Sequence, residues 1–267
     1  MGKDENNLIA HLEALRTMLL RILVVTAALY PAGYFASPYV IRWLARWCLP
    51  EGWQLHYFTP MEVFWVQLKL ALVISLVIAY PWNMWQVWGF VLPALYPGER
   101  RALGWWLVCS TLLFLCGGIF CVMTILPLLM RFSQGFSSSE LTPMLGLSGF
   151  LELSGWLTLA FGLMFQAPIV VLLAVRFGVV SADSLAKKRP YVITVILILA
   201  ALLTPPDIVS QVMLAVPTWL LFETGLLLAR RVEKSARREE ETPDEEEDGF
   251  DDDPDYSPDD PDDDVRP

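Results

Sequence analysis

The feature that most constrains this chain is a series of long apolar segments. A helix that crosses a bilayer needs about 20 mostly apolar residues, because the hydrocarbon core is about 30 Å thick. Six segments approach this requirement, and they predict an all-α polytopic membrane protein with six transmembrane helices. The segments are Leu19–Ala36, Val63–Val87, Leu103–Met130, Ser154–Val175, Val192–Leu203 and Val209–Ala229.

The last two segments differ from the first four. The fifth has about 12 apolar residues, which at a rise of 1.5 Å per residue gives only about 18 Å of helix. The sixth is interrupted by Gln211, Pro217 and Glu223, and Pro205 and Pro206 separate the two segments. The pattern therefore predicts short fifth and sixth helices that form an antiparallel pair.

Basic residues flank these segments unevenly. With a cytoplasmic N-terminus, fourteen Lys and Arg residues lie on the inner side and only Arg42, Arg46 and Arg131 lie on the outer side. Because Lys and Arg in short loops favour the cytoplasm, both termini are predicted to be cytoplasmic. The outer connections, residues 37–62 and 131–153, are rich in aromatic residues, and we expect them to form helices in the membrane interface.

Charge also divides the chain along its length. The formal net charge is -10, but residues 239–267 contain seventeen Asp or Glu and one basic residue, Arg266. Such a segment has too little apolar surface to offset the entropy lost on ordering, so it is predicted to be disordered. The predicted organisation is a cytoplasmic amphipathic helix over residues 1–18, a six-helix transmembrane domain over 19–231 and an acidic cytoplasmic tail over 232–267.

Motifs of common enzyme classes are missing from the sequence. It contains no GxxxxGK[ST] phosphate loop, no HExxH zinc motif and no GxSxG nucleophile elbow. The two histidines, His11 and His56, are far apart, and the four cysteines form no CxxC pair. We therefore expect no catalytic residues, no metal site and no cofactor.

A few polar residues stand inside the apolar segments, where charge is costly. Lys69 either serves a function or extends to the lipid headgroups. Gln166 either caps a carbonyl group freed by Pro168 or packs between helices. Glu223 faces a cavity or pairs with a neighbouring helix. Glu99, in a cytoplasmic loop beside two arginines, is by itself an ordinary surface charge.

Several short motifs occur in order along the body of the chain. They are His11-Leu12-Glu13-Ala14-Leu15-Arg16, Gln86-Val87-Trp88-Gly89-Phe90, Pro93-Ala94-Leu95-Tyr96 followed by Glu99, Gln166-Ala167-Pro168, Lys187-Lys188-Arg189-Pro190-Tyr191 and Leu203-Thr204-Pro205-Pro206-Asp207 with Gln211. Between about Leu8 and Arg231 the chain thus resembles the TatC family, the core receptor subunit of the twin-arginine protein translocase. The resemblance implies six helices in a concave cup.

The resemblance also implies a function and its partners. A family member binds the twin-arginine signal peptides of folded precursors and exports those precursors across the bacterial inner membrane, driven by the proton-motive force. It assembles in multiple copies with the single-span subunits TatA and TatB among membrane lipids. No enzymatic activity and no nucleic-acid partner are implied.

The resemblance suggests three groups of site residues in this chain. The residues that it implies in signal-peptide binding are Glu99, Phe90, Tyr96, Glu13 and Arg16. The intramembrane polar groups of the groove are Gln166, Lys69 and Glu223. The residues that it implies in contact with partner helices are Thr204, Asp207 and Gln211. A carboxylate such as that of Glu99 binds a guanidinium group through two hydrogen bonds, a geometry that lysine does not match.

Three positions depart from the family pattern. The family usually has its first glutamate where this chain has Ala14, and the shift to Glu13 rotates the side chain by about 100° around a helix. Many members carry glutamate at the position of Gln166 and methionine at the position of Ala201. A mechanism that titrates position 166 is therefore excluded here.

A second function class is compatible with the residues alone. A small-solute or ion transporter would place Lys69, Gln166 and Glu223 along a path through the membrane. Two charged residues are few for such a relay, and the sequence lacks a clear inverted repeat of broken helices. The receptor and scaffold function is therefore the main prediction.

Overall fold

A computed structural model of the chain describes residues 2–95, 100–135, 144–203 and 208–241, and most of these residues are helical. The all-α class predicted from the sequence is confirmed. In chain order the elements are α1 (Gly2–Cys48), β1 (Leu55–His56), α2 (Pro60–Leu95), α3 (Arg100–Phe120), a π-helical turn (Cys121–Ile125), α4 (Leu126–Gln134), β2 (Leu145–Gly146), α5 (Leu147–Met164), α6 (Ala167–Arg176), α7 (Ala182–Lys187), α8 (Arg189–Leu203) and α9 (Ile208–Glu241).

Four helical stretches are long and apolar enough to cross a membrane. They are Pro60–Phe90, Gly104–Gln134, Leu147–Arg176 and Gln211–Lys234, and they correspond to the predicted second, third, fourth and sixth spans. The predicted fifth span is α8, which is apolar but shorter, as the sequence indicates. The predicted first span lies within α1, and its crossing of the membrane remains a prediction, as does that of α8.

The N-terminal part of the chain is more continuous than predicted. Residues 1–18 were expected to form a separate surface helix, but Gly2–Cys48 is one helix of 47 residues. Its prolines, Pro31 and Pro38, do not end it, because a proline inside a membrane helix loses one backbone hydrogen bond that neighbouring groups replace. The helix expected in residues 37–62 is not a separate element, because α1 continues to Cys48 and β1 follows. Its position in the membrane interface stays a prediction.

The sixth helix is not short, which corrects the prediction. Helix α9 has 34 residues and continues past residue 231, the predicted end of the membrane domain. Pro217 lies inside it, and Gln211 and Glu223 bond to neighbouring groups, so none of the three interrupts it. The basic and acidic residues that follow have good helix propensity and extend the helix to Glu241.

A wide turn in the third span accommodates a proline. The residues of Cys121–Ile125 form a π-helix between α3 and α4, and Pro127 stands in the first turn of α4. A proline ring clashes with the carbonyl group four residues before it, which here belongs to Met123 inside the wide turn. The π-turn therefore lets one span continue from Gly104 to Gln134.

A small cap holds two spans level at one end of the bundle. Strands β1 and β2 pair in parallel, with Leu55 opposite Leu145 and His56 opposite Gly146. The Glu62 carboxylate in α2 accepts hydrogen bonds from the backbone N–H groups of Phe58, at 2.8 Å, and Ser148, at 3.1 Å. Because Ser148 is in the first turn of α5, these contacts start α2 and α5 at the same height.

Glycines allow the closest helix contacts. A Cβ atom added to Gly33 in α1 would lie 2.5 Å from the carbonyl oxygen of Ala71 in α2. One added to Gly225 in α9 would lie 2.6 Å from the Cα atom of Pro168 in α6. Since both obstacles are backbone atoms, the helices would have to separate. Small residues at such crossings let membrane helices pack tightly without a hydrophobic driving force.

We therefore expect Gly225→Ala to destabilise the protein. Its extra methyl group forces α9 away from α6, and overpacking of this kind costs about 1–3 kcal/mol. The matched control is Gly118→Ala, whose Cβ atom would lie 3.5 Å from Thr158 Cγ2, an ordinary contact. Thermal unfolding of the purified protein in detergent should show a lower midpoint for Gly225→Ala only. Equal midpoints would show that α9 and α6 are not closely packed.

Candidate functional site

A groove opens on the concave side of the helix bundle. It has a volume of about 630 Å³, and its lining comes from α2, α3, α5, α6, α8 and α9. The walls are largely apolar, with Leu76, Phe114 and Ile196 among them. Polar groups enter the lining at four places, which are Tyr80, Asn83, Gln166 and Thr218.

Gln166 is the centre of a buried hydrogen-bond network. Its Oε1 atom accepts a hydrogen bond of 2.6 Å from Ser110 Oγ in α3, and its Nε2 atom donates to the Ser110 carbonyl oxygen at 3.1 Å. The hydroxyl oxygen of Tyr80 in α2 lies 3.3 Å from Ser110 Oγ. All three side chains are buried. The network thus joins three helices behind the groove, where an unpaired polar group would be costly.

The position of Gln166 follows from a break between α5 and α6. Pro168, in the first turn of α6, has no N–H group, and the Gln166 N–H group bonds to the carbonyl of Leu163 instead of Gly162. The Gln166 side chain lies 3.5 Å from the carbonyl oxygen of Gly162, to which Nε2 donates. The amide therefore packs between helices, as one of the two sequence interpretations has it. The carbonyl that it reaches at the break is that of Gly162, not that of Met164, which lies four residues before Pro168.

Sequence reasoning missed several polar residues of this groove. Tyr80 and Ser110 belong to the network, and Thr218 in α9 donates to the Leu214 carbonyl at 2.8 Å and lies 3.2 Å from Met164 Sδ. Such residues are common in apolar segments and give no signal by themselves. Their shared property is contact with the break at Gln166, which only the fold reveals.

Glu223 does not line the groove. Its carboxylate pairs with Arg189 at the start of α8: Nη2 donates to Oε2 at 2.8 Å, and Nε lies 2.7 Å from Oε1. This two-point geometry suits arginine in a way that lysine cannot match. The pairing predicted as one alternative for Glu223 is therefore the one observed, and it joins α8 to α9.

Lys69 also lies apart from the groove. Its ammonium group is 2.7 Å from the carboxylate Oε1 of Glu152 in α5, beside a second cavity between α2 and α5. Glu152 was missed because it lies just before the predicted fourth span. In the described part of the chain, Lys69, Gln166 and Glu223 have different partners and do not contact one another, which does not favour the transporter alternative.

A third cavity, of about 640 Å³, lies between the start of α1 and the end of α2. Glu13 and Arg21 from α1 and Trp85 and Phe90 from α2 line it. The His11 ring stacks on the Phe90 ring with centroids 4.6 Å apart. Two of the predicted signal-binding residues, Glu13 and Phe90, therefore share one cavity.

Of the other predicted site residues, two lie on described helices and four lie outside the described residues. Arg16 is exposed on α1, and Gln211 donates from Nε2 to the Leu197 carbonyl of α8 at 3.0 Å. Glu99, Tyr96, Thr204 and Asp207 lie outside the described residues. Within the described part of the chain, no group of three or more His, Cys, Asp or Glu side chains is arranged to hold a metal ion.

The long apolar helices and the grooves between them define a multi-pass membrane protein. A family model described as Sec-independent protein translocase protein (TatC) matches residues 10–217. The chain belongs to this TatC family, and it is therefore a protein-translocase component.

Individual relatives agree with this assignment. The TatC protein of Haemophilus influenzae is 35% identical over 231 residues, covering 85% of this chain and 90% of the relative. The Escherichia coli K12 protein is 34% identical over 231 residues, with coverages of 85% and 90%. A crystal structure of the twin arginine translocase receptor TatC superposes with a TM-score of 0.77 at 31% identity, covering 83% of this chain and 98% of that one.

The Gln166 network predicts coupled effects of mutation. Gln166→Leu and Ser110→Ala each leave buried partners unsatisfied, so each should lower the free energy of unfolding by about 1–3 kcal/mol. Because the two residues bond to each other, the double variant should lose less than the sum, with a coupling energy of about 0.5–3 kcal/mol. Thermal unfolding in detergent measures all three variants.

Ser184→Ala provides a control outside the network, since the Ser184 hydroxyl is exposed on α7. Combined with Gln166→Leu, it should give additive losses. Additive losses for the Gln166 and Ser110 pair would contradict the network.

Proposed function

We propose that this chain is a twin-arginine signal receptor and the scaffold of a translocase that exports folded proteins across the bacterial inner membrane. The proton-motive force drives the export, and the chain itself has no catalytic residues. Both termini lie in the cytoplasm, with residues 1–18 on the membrane surface, 19–231 as the membrane domain and 232–267 as an acidic tail. Membership of the TatC family supports this assignment over a transporter.

The observation that carries the proposal is the meeting of α1 and α2 at the third cavity. Two sequence motifs far apart in the chain, around Glu13 and around Phe90, line the same cavity. The chain then runs from the end of α2 at Leu95 to Arg100 through a short connection that contains Glu99. We place the signal-binding site here, with Glu99 and Glu13 as carboxylates, Phe90 and Tyr96 as aromatic contacts and Arg16 nearby.

Recognition of arginine over lysine requires more than an exposed charge. An exposed ion pair contributes only about 0.2–1 kcal/mol, whereas a hydrogen bond to a charged group in a shielded place contributes about 1.5–3 kcal/mol. The cavity beside Trp85 and Phe90 offers such partial shielding. The apolar part of the signal peptide would then continue into the groove in front of Gln166.

Helix α8 offers a surface for partner helices. Tyr191, Val195, Ile198 and Leu202 recur at helical spacing and are all exposed. We propose that TatA and TatB, the single-span subunits, pack against this face near Thr204, Asp207 and Gln211. Such contacts, repeated between several copies, would build the complex within the surrounding lipids. The Arg189–Glu223 pair holds α8 against α9 and so positions this face.

The central prediction concerns Glu99. Glu99→Ala should abolish export of a reporter with a twin-arginine signal, because the carboxylate that binds the guanidinium group is lost. A loss of about 1.5–3 kcal/mol corresponds to binding that is weaker by about 10- to 150-fold. Binding is measured by photocrosslinking of a signal peptide in membranes, and export by the appearance of the reporter in the periplasm.

The control is Glu51→Ala, an exposed glutamate at the other end of the bundle. Its export and crosslinking should equal those of the unmodified protein, with equal amounts of both variants in the membrane. A lysine-lysine signal peptide should crosslink as poorly to the unmodified protein as the arginine-arginine peptide does to Glu99→Ala. Normal export by Glu99→Ala would refute the assignment of the site.

A further inference from the structure

The cavity between α2 and α5 has two chemically different ends. Its volume is about 630 Å³, and it adjoins the groove in front of Gln166, with which it shares Leu76, Trp156 and Leu159. The end away from the groove carries the Lys69–Glu152 ion pair, and the rest of the lining is mainly apolar, including Leu72, Val73 and Gly155. Neither the signal-binding proposal nor the partner-binding proposal uses the charged end of this cavity.

The ion pair at the charged end has unused hydrogen-bonding capacity. Lys69 Nζ lies 2.7 Å from Glu152 Oε1, and the two side chains are 58% and 47% exposed. Among the described residues this is the one hydrogen bond of the Lys69 ammonium group, which leaves two N–H donors, and Glu152 keeps its second carboxylate oxygen. Charged groups at the edge of the hydrocarbon region are stable only with further polar partners.

The direction of the cavity is set by the cap. The β1–β2 pair and the Glu62–Ser148 contact start α2 and α5 at the same height, and the two helices run the same way. Leu76 and Leu159 lie seven residues beyond Lys69 and Glu152, about 10 Å deeper at 1.5 Å per residue. The charges therefore lie toward the ends of the spans and the apolar lining toward their middle.

This arrangement matches a phospholipid, with its charged headgroup outward and its acyl chains inward. We propose that the cavity binds one zwitterionic phospholipid with a primary ammonium headgroup, of the phosphatidylethanolamine class. The lipid phosphate accepts hydrogen bonds from Lys69, and the lipid ammonium donates to Glu152. One acyl chain lies along the apolar lining beside Leu72 and Trp156.

The headgroup chemistry distinguishes this lipid from other classes. An anionic headgroup without an amine would satisfy Lys69 and leave the Glu152 carboxylate facing a negative charge. A quaternary ammonium group, as in phosphatidylcholine, has no N–H to donate. All three headgroups carry a phosphate that can accept from Lys69, but of the three only the primary ammonium headgroup also has a charged N–H donor for Glu152. Hydrogen bonds that involve a charged group are about twice as strong as neutral ones.

Native mass spectrometry of the full-length protein in mild detergent tests the proposal. It is titrated with phosphatidylethanolamine, phosphatidylcholine and phosphatidylglycerol that carry identical acyl chains. We expect one phosphatidylethanolamine to bind about tenfold more tightly than either other lipid. Glu152→Gln should abolish this preference, and Lys69→Gln should weaken all three lipids. Glu51→Gln, which changes an exposed glutamate outside the cavity, should leave the affinities unchanged.

Leu72→Trp fills the apolar lining of this cavity but not that of the groove, and it leaves both charges in place. It should lose the tight phosphatidylethanolamine site while eluting from a sizing column like the unmodified protein. Equal affinities for the three lipids in the unmodified protein would overturn the proposal. An ethanolamine preference that survives both Glu152→Gln and Leu72→Trp would overturn it as well, by placing the lipid elsewhere. Neither result depends on signal binding.

Discussion

The structure depends on one constraint, which is that polar groups inside a bilayer must find their partners within the protein. Two irregular places in the spans illustrate it. At the break before Pro168, the Gln166 amide bonds to the Gly162 carbonyl and to Ser110. At Pro127, the helix widens into a π-turn and continues. These features let the chain change direction beside the groove. The side-chain atoms that form the internal hydrogen bonds are then not available to bind a ligand.

This requirement also gives the groove and the ends of the helices different binding properties. Both N–H groups of the Gln166 amide are used internally, and no charged side chain lines the groove. The groove therefore suits an apolar segment of a bound peptide, whose affinity grows with buried area and depends little on sequence. In the proposed function, discrimination between signals takes place at the ends of the helices, where carboxylates are exposed to water and can bind a guanidinium group.

The long apolar spans could be predicted from the sequence because a helix surrounded by lipid must consist mainly of apolar residues. Helix ends could not be predicted: Pro31, Pro38 and Pro217 were potential breaks, yet α1 and α9 pass through them. Membrane helices tolerate proline where other groups can satisfy the freed backbone, and a single sequence does not show where that is so. Contacts between distant residues were hidden as well. Lys69 was recognisable as unusual, but its partner is 83 residues away and was not identifiable without the fold.

The small cap at the ends of α2 and α5 has a consequence for how the molecule is made. Leu55 and Leu145 pair although 90 residues of chain separate them. Ribosomes deliver membrane helices one after another, so α2 enters the bilayer with its capping partners not yet synthesised. Until the chain reaches Gly146, α2 packs against α1 but lacks the contacts that set its height relative to α5. Their final alignment is a late step of biogenesis, completed only after α3 and α4 have crossed.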